Sequence, residues 1–328
     1  MSDKLKSSKR PILAFILLLA IASAIAGINI IRISSAANPN LRGDINSDNV
    51  VNMTDLSMLL TAYGTNNSNV DLDGNSIVDI FDLSILLSNF SKTYSPTNPT
   101  PVGIAGNWTL KFSDDFNGST LDTSKWVPSW FGGTTNITKP VNDTYEESCY
   151  DPANVTVNGG VVNIAAQTRS CRATNNKTYN YASGIINSYG KYTFTYGVME
   201  ARLWIPPGSG TGQNWPAFWT NGENWPVDGE IDVMEVLGGK HCYHFHYSNG
   251  APGGCASTTA TAGWHVFSAN WQPGSISYYY DGVKVGQITE GVTASPMYLI
   301  LNFGLSSQIS PPIVTPSNMQ VDYVRVWQ

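Results

Sequence analysis

From Trp108 to Gln328 the chain is written in short runs of Val, Ile, Tyr, Phe, Trp and Thr broken by Gly, Asn or Pro: "VTVNGGVVNIAAQ", "KYTFTYGVMEARLWI", "WHVFSANWQPGSISYYYDGVKVGQI", "MYLILNFGL" and "VDYVRVW". β-Branched and aromatic side chains fit a pleated surface and lose χ1 freedom in a helix, so these runs read as strands with little helix between them. Asn154 to Ala166 and Ser277 to Ile288 read as hairpins turning at Asn158-Gly159-Gly160 and Asp281-Gly282. Such residues reach the left-handed conformations of a tight turn at low cost. Many short antiparallel strands across residues 107–328 predict an all-β sandwich.

Composition places such a domain outside the cytoplasm. Charged residues make up 13% of the 328, while Trp (10) and Tyr (16) are plentiful. That is about half the usual charged share. With a net charge of −6 and no basic patch, a nucleic-acid partner is excluded. The one basic cluster, Lys4, Lys6, Lys9 and Arg10, heads an apolar run from Ile12 to Ile31. Residues 1–37 therefore read either as a signal peptide, cleaved after Ala24, Ala26 or Ala37, or as a membrane tether through residues 12–31. Both predict a secreted or cell-surface protein. The four cysteines, Cys149, Cys171, Cys242 and Cys255, suit two disulfides in an oxidising compartment. Local pairing, Cys149–Cys171 and Cys242–Cys255, is expected among the three connectivities open to four cysteines.

Ahead of the β region stands an internal repeat, "GDINSDNVVNMTDLSMLLTAYG" and "VDLDGNSIVDIFDLSILLSNF", offset by 27 residues (Asp44 to Asp71). Oxygen-bearing side chains fall at loop positions 1, 3, 5, 9 and 12: Asp44, Asn46, Asp48, Asn52 and Asp55, then Asp71, Asp73, Asn75, Asp79 and Asp82. Position 7, Val50 or Ile77, adds a backbone carbonyl. A hard cation such as Ca²⁺ needs about six to eight oxygens, and this spacing folds them round one point. Each loop then runs into an amphipathic helix, Leu56 to Tyr63 and Leu83 to Phe90.

These paired loop-helix repeats, each continuing into "DLS" and two leucines, resemble a type I dockerin over residues 38–92. The resemblance implies a small helical module that binds two Ca²⁺ ions and docks on a cohesin-like module. Position 6 carries Asn49 and Ser76 where the pattern has Gly. Residues 93–106, rich in Pro, Thr, Ser and Asn, read as a semi-extended linker.

Within the β region, "DGEIDVMEVLG" (Asp228 to Gly238) sets three carboxylates among apolar residues at a spacing that suits neither a helix nor a regular strand. No helical face holds all three, and strand alternation sends Glu235 to the side opposite Glu230 and Asp232. One extra residue, a β-bulge at Val233 or Met234, returns all three to one face. Two carboxylates on one face can cleave a glycoside by double displacement, one attacking the anomeric carbon and the other protonating the leaving oxygen. Just upstream, "GQNWPAFWTNGENWPVDGE" carries Trp215, Trp219 and Trp225, whose faces suit pyranose rings.

At these residues the chain resembles glycoside hydrolase family 16 in its bulged, laminarinase-like branch, whose Glu-x-Asp-x-x-Glu signature is here "EIDVME". "SDDFNG", "YASGIINSYGKYTFTYGVMEARLWIP", "NWPAFW" and "VDYVRVW" extend the match over residues 107–328. The resemblance implies a concanavalin-like β-jelly roll and a retaining endo-glycosidase acting on a β-1,3-linked glucan. It implies Glu230 as nucleophile, Asp232 as its electrostatic helper and Glu235 as acid/base. Arg202, Trp215 and Trp219 match sugar-binding positions of the cleft, and His246 matches a polar position near the leaving group. Asp322 in the last strand matches a ligand of a structural Ca²⁺. A transglycosylase, an agarase or carrageenase, and a non-catalytic glycan-binding protein are the alternatives on the same fold.

Overall fold

The computed structural model describes residues 41–92, 99–158, 160–206, 214–259 and 261–328. The expected signal or tether in residues 1–37, and parts of the expected module (38–40) and linker (93–98), lie outside the described residues. Two compact units divide between Ser95 and Pro96.

In the smaller unit the two repeats form helices α1 (Met53–Ala62) and α2 (Ile80–Asn89). Both begin three residues before the expected starts, because position 9 of each loop is a helix cap. The side chains of Asn52 and Asp79 accept the amides of Thr54 (2.6 Å) and Phe81 (2.8 Å). Position 12 answers: Asp55 and Asp82 accept the caps' own amides at 2.9 and 2.7 Å. Such reciprocal caps satisfy two orphan helix donors, each worth about 1 kcal/mol. Leu59, Ala62 and Leu86 are buried with Val51 and Val78 in a small core of their own. Asn49 (φ 67°) and Ser76 (φ 75°) both take the left-handed conformation that glycine usually supplies.

The larger unit carries sixteen strands among the described residues. The first eight are β1 (Leu110–Asp114), β2 (Ser148–Tyr150), β3 (Val155–Asn158), β4 (Val161–Arg172), β5 (Thr178–Ser183), β6 (Ile185–Asn187), β7 (Gly197–Ile205) and β8 (Trp215–Gly222). The rest are β9 (Glu230–Leu237), β10 (Lys240–His246), β11 (Gly253–Thr259), β12 (Gly263–Gln272), β13 (Ser275–Tyr280), β14 (Val283–Ile288), β15 (Met297–Gly304) and β16 (Ser317–Trp327). Both expected hairpins form, as β3–β4 and β13–β14. In the second, Asp281 (φ 49°) and Gly282 (φ 75°) make the turn.

The strands build two sheets, the expected jelly-roll sandwich. One has six strands in the order β11-β10-β9-β8-β15-β6. The other has ten, with the path β14-β13-β12-β7-β16-β4-β5-β2, β1 pairing with β16 and β3 with β4. Strand alternation sends Phe218, Ile231, Val233, Leu299 and Leu301 from the six-stranded sheet into a common core. There they meet Met199, Ala201, Leu203, Val324 and Val326 of the ten-stranded sheet. This buried face is the main source of stability in such a sandwich. Disulfides join Cys149 to Cys171 and Cys242 to Cys255, the local pairing expected. The second fastens the edge strand β11 to β10.

Residues 99–106, expected as linker, belong to the β unit instead. The amide of Val102 donates to Glu200 Oε2 (2.8 Å), the Trp327 indole to the Pro99 carbonyl (2.6 Å), and Ile104 is buried beside Val198 and Trp327. Proline and threonine content signals an extended chain, and an extended chain can lie along a sheet as well as leave it. No helix among the described residues is long and apolar enough to cross a membrane.

Candidate active site

Strand β9 sits between β8 and β10 in the six-stranded sheet. Along β8, Phe218 opposes Met234 and Trp219 opposes Asp232, which leaves Val233 as an extra residue. Along β10 the register slips at the same place, between Cys242 opposite Glu235 and His244 opposite Asp232. This is the expected bulge. Its effect is the expected one too: Ile231, Val233, Met234 and Val236 enter the core, while Glu230, Asp232 and Glu235 line one cleft of about 850 Å³ on the opposite face.

Asp232 stands between the two glutamates. Carboxylate oxygens of Glu230 and Asp232 lie within 4.8 Å of one another and of His246, and those of Asp232 and Glu235 within 4.8 Å of one another and of His244. His246 Nε2 is 3.1 Å from Asp232 Oδ2 and 3.7 Å from Glu230 Oε1. Glu235 is held on both oxygens: the Trp215 indole donates to Oε1 at 2.9 Å, and His244 Nδ1 lies 3.0 Å from Oε2.

Burial and crowding set the protonation of this group. Asp232, only 3% exposed, is pushed well above the usual carboxylate range by burial and then by the negative charge of Glu235. Burial and the charge of Asp232 also raise Glu230, which His246 and a hydrogen bond from Trp225 draw back down. The two carboxyls are joined by a hydrogen bond that lowers Asp232, and they take up and release protons as a pair.

The three tryptophans take different stations. Trp215 begins β8 and meets Glu235. Trp219, further along the same face, is nearly buried, and its indole donates to Asn302 Oδ1 at 2.8 Å. Trp225, 57% exposed, stands at the cleft on the loop before β9. Beneath Trp219 the hydrogen bonds continue: Asn302 Nδ2 donates to the Tyr150 hydroxyl (2.7 Å), which donates to Glu146. Glu146 is fully buried at the cleft wall, and burial raises its carboxyl to about 7.

Two expected site residues lie elsewhere. Arg202 is on β7 in the ten-stranded sheet, on the side away from the core, so it lines no part of this cleft. There its guanidinium meets Asp322 at 3.2 Å and covers the Trp264 ring at 4.5 Å. Asp322, expected as a metal ligand, is thereby engaged by a cation already, although burial still lifts its carboxyl to about 6. Conversely, His244, Asn302 and Glu146 escaped sequence reasoning. For His244 a signal existed: in "HFHY" alternation puts His244 and His246 on one face, with Phe245 in the core between them.

In the smaller unit the loop acids converge. Carboxylates of Asp44, Asp48 and Asp55 lie within 4.8 Å of one another, as do those of Asp71, Asp73 and Asp82. Burial raises Asp55 and Asp73, and neighbouring acids add to it. Asn46, Asn52, Asn75 and Asp79 hydrogen-bond within the same loops, and the amides of Val50 and Ile77 at position 7 donate to Asp48 and Asn75.

Sequence and fold comparisons agree with this geometry. A glucan endo-1,3-beta-glucosidase A1 of Niallia circulans is 30% identical over 282 residues, 71% of this chain and 39% of that protein. The endo-1,3-1,4-beta-glycanase EglC of Rhizobium meliloti (strain 1021) is 30% identical over 245 residues, 67% of this chain and 51% of that one. The chain thus spans about half or less of the length of these curated relatives. The structure of an endo-beta-1,3-glucanase from Pyrococcus furiosus superposes with a TM-score of 0.58 at 29% identity, covering 67% of this chain and 94% of that one. Residues 148–320, just over half of the chain and the whole of the carboxylate strand and its neighbours, match the profile of glycosyl hydrolases family 16, and the chain belongs to that family.

Proposed function

We propose that the protein is a retaining endo-glycosidase that cleaves a β-1,3-linked glucan. The observation that carries this reading is the bulged strand β9, which sets Glu230, Asp232 and Glu235 on one face of a cleft with Asp232 between the glutamates. In the first step Glu230 attacks the anomeric carbon while the carboxyl of Glu235 gives its proton to the departing glycosidic oxygen. Asp232, hydrogen-bonded to Glu230 between the two glutamates, holds the nucleophile in place. In the second step Glu235, now a carboxylate, takes a proton from water, and the hydroxide formed displaces Glu230 from the sugar with net retention. Trp215, Trp219 and Trp225 offer aromatic faces to the rings on either side.

The β-1,3 preference rests on the relatives, which are named for β-1,3- and mixed-linkage glucans. Reducing-end release from laminarin, lichenan, agarose and carrageenan tests it. Laminarin cleavage with the β anomer formed first is expected; release from agarose or carrageenan alone would reassign the substrate. Glu230→Gln is expected to lower kcat by about 10⁴-fold with the fold intact.

The smaller unit is proposed to bind two Ca²⁺ ions. The donor set fits: clustered buried carboxylates, which repel without a cation, at the spacing of an oxygen-lined loop. Asp44, Asp48 and Asp55 would hold one ion with Asn46 and the Val50 carbonyl, and Asp71, Asp73 and Asp82 the other with Asn75 and the Ile77 carbonyl. Docking on a cohesin-like protein is proposed from the surface of the same unit. Met53 (66% exposed) and Ile80 (51%), Leu60 (55%) and Leu87 (48%) repeat across the two copies as apolar pairs open to solvent. Export to the cell surface is proposed from the residues 1–37 pattern, and the two disulfides support it.

A further inference from the structure

On the ten-stranded sheet, the face turned away from the core carries an in-register row. Trp264 on β12 opposes Trp204 on β7, Trp204 opposes Gln320 on β16, Gln320 opposes Asn163 on β4, and Asn163 opposes Thr156 on β3. Residues flanking these in sequence, such as Leu203, Met319, Val321, Val162 and Ile164, belong to the core, so the row itself points outward. Five strands at a spacing of about 4.8 Å make a strip about 19 Å wide.

Its chemistry is uniform and neutral. The Trp204 and Trp264 rings meet edge to face at 5.8 Å, and the Arg202 guanidinium covers one face of Trp264. Arg202 is itself answered by Asp322. Trp204 borders a depression of about 650 Å³ floored by Ala165 and walled by Gln167, Pro316, Ser317 and Asn318, with no charged side chain in its lining. Beside it the amides interlock: Gln320 Nε2 and Asn318 Nδ2 both donate to Asn163 Oδ1, at 2.6 and 3.0 Å. The buried side-chain Oδ1 of Asn318 has no hydrogen-bond partner among the described residues. A partly exposed indole next to amides, at a depression without charge, is what the faces and hydroxyls of a sugar chain require. An anionic ligand would find no cation free of its own partner, and an apolar one would leave the amides unanswered.

We propose that this strip is a second, non-catalytic glycan-binding surface that holds a neutral β-glucan chain by stacking on Trp204 and hydrogen bonding along Gln320, Asn318 and Asn163. That the chain is a β-glucan rests on the function proposed above; that it is a neutral glycan rests on the strip. Because the strip and the cleft lie on opposite faces of the sandwich, the bound segment is remote from the one being cleaved. The surface serves long polymers and is irrelevant to short ones.

The test uses the full chain in native gels containing laminarin or lichenan, comparing Glu230→Gln with Glu230→Gln/Trp204→Ala and Glu230→Gln/Gln320→Ala. Retention weakened about fivefold or more by either second substitution is expected. In the otherwise wild-type background, Trp204→Ala should keep full turnover of laminarihexaose, which also certifies its fold, and lose turnover of insoluble β-1,3-glucan. Equal retention of all three proteins, or no retention of the parent, would overturn the proposal. Hydrolysis with Trp204-independent retention refutes the strip alone, whereas Trp204-dependent retention without hydrolysis by the wild type refutes the catalytic reading alone.

Discussion

His244 Nδ1 lies 3.0 Å from Glu235 Oε2, reaching it from the neighbouring strand across the bulge. With the Trp215 indole on the other oxygen, it fixes the carboxyl that the proposed mechanism uses twice. Replacing His244 by Ala frees that carboxyl to rotate. We expect kcat to fall about 10- to 100-fold, with KM changed far less, in steady-state assays on a soluble glucan. A fall in affinity alone would make His244 a sugar contact instead.

His246 acts on the other half of the site. Its proximity draws Glu230 down against the burial and the Asp232 charge that raise it. An ionised Glu230 is needed for attack, so the acidic limb of the kcat/KM profile follows this group. His246→Ala should move that limb to higher pH. A limb that stays in place would detach His246 from Glu230.

Glu146 gives a stability prediction. Its carboxyl goes from 4.5 to about 7 on folding, chiefly through burial. Between those values the folded protein holds a proton that the unfolded chain has released. The group's contribution is therefore greatest below pH 4.5 and is lost as pH rises to about 7, a change on the order of 3 kcal/mol. Glu146→Gln keeps an acceptor for Tyr150 and cannot ionise. Thermal melts from pH 4 to 8 should show a shallower decline for the variant, and parallel curves would mean that Glu146 ionises no differently in the fold.

The loops of the smaller unit predict a metal dependence. Hydrogen exchange of residues 44–90 in the full chain should be slow with Ca²⁺ and fast after chelation, while the β unit is unaffected. At about 100 times the dissociation constant each ion adds about 3 kcal/mol. Protection unchanged by chelator would leave the acids as a solvated hydrogen-bonded loop. Asp55→Ala, which removes both the position-12 oxygens and a capping partner, should abolish protection of the first repeat even with Ca²⁺ present.

What could be read from the sequence was local. The bulge followed from the misfit of "EIDVME" with strand alternation, the hairpins from their turn residues, and the disulfides from proximity along the chain. Arg202 went wrong because alternation says which residues of β7 share a face and nothing about which sheet β7 joins. Nor could the sequence show that Asp322 meets Arg202, 120 residues away. His244 touches Glu235 only through a cross-strand register that the bulge itself displaces. Asn302 and Glu146 reach the cleft through a relay spanning β15, β2 and the loop before it. Position 9 of the repeats was read as a ligand, and its role as a helix cap placed the helices earlier than expected.

The last strand, β16, does not close the ten-stranded sheet at its edge. It lies between β7 and β4, lends its final residues to β1, and buries Trp327 against Ile104 near the start of the unit. The sheet therefore has no continuous middle until the segment Ser317–Trp327 is in place. Strand β16 thus joins segments far apart in the chain, a topology dominated by distant pairings that forms slowly.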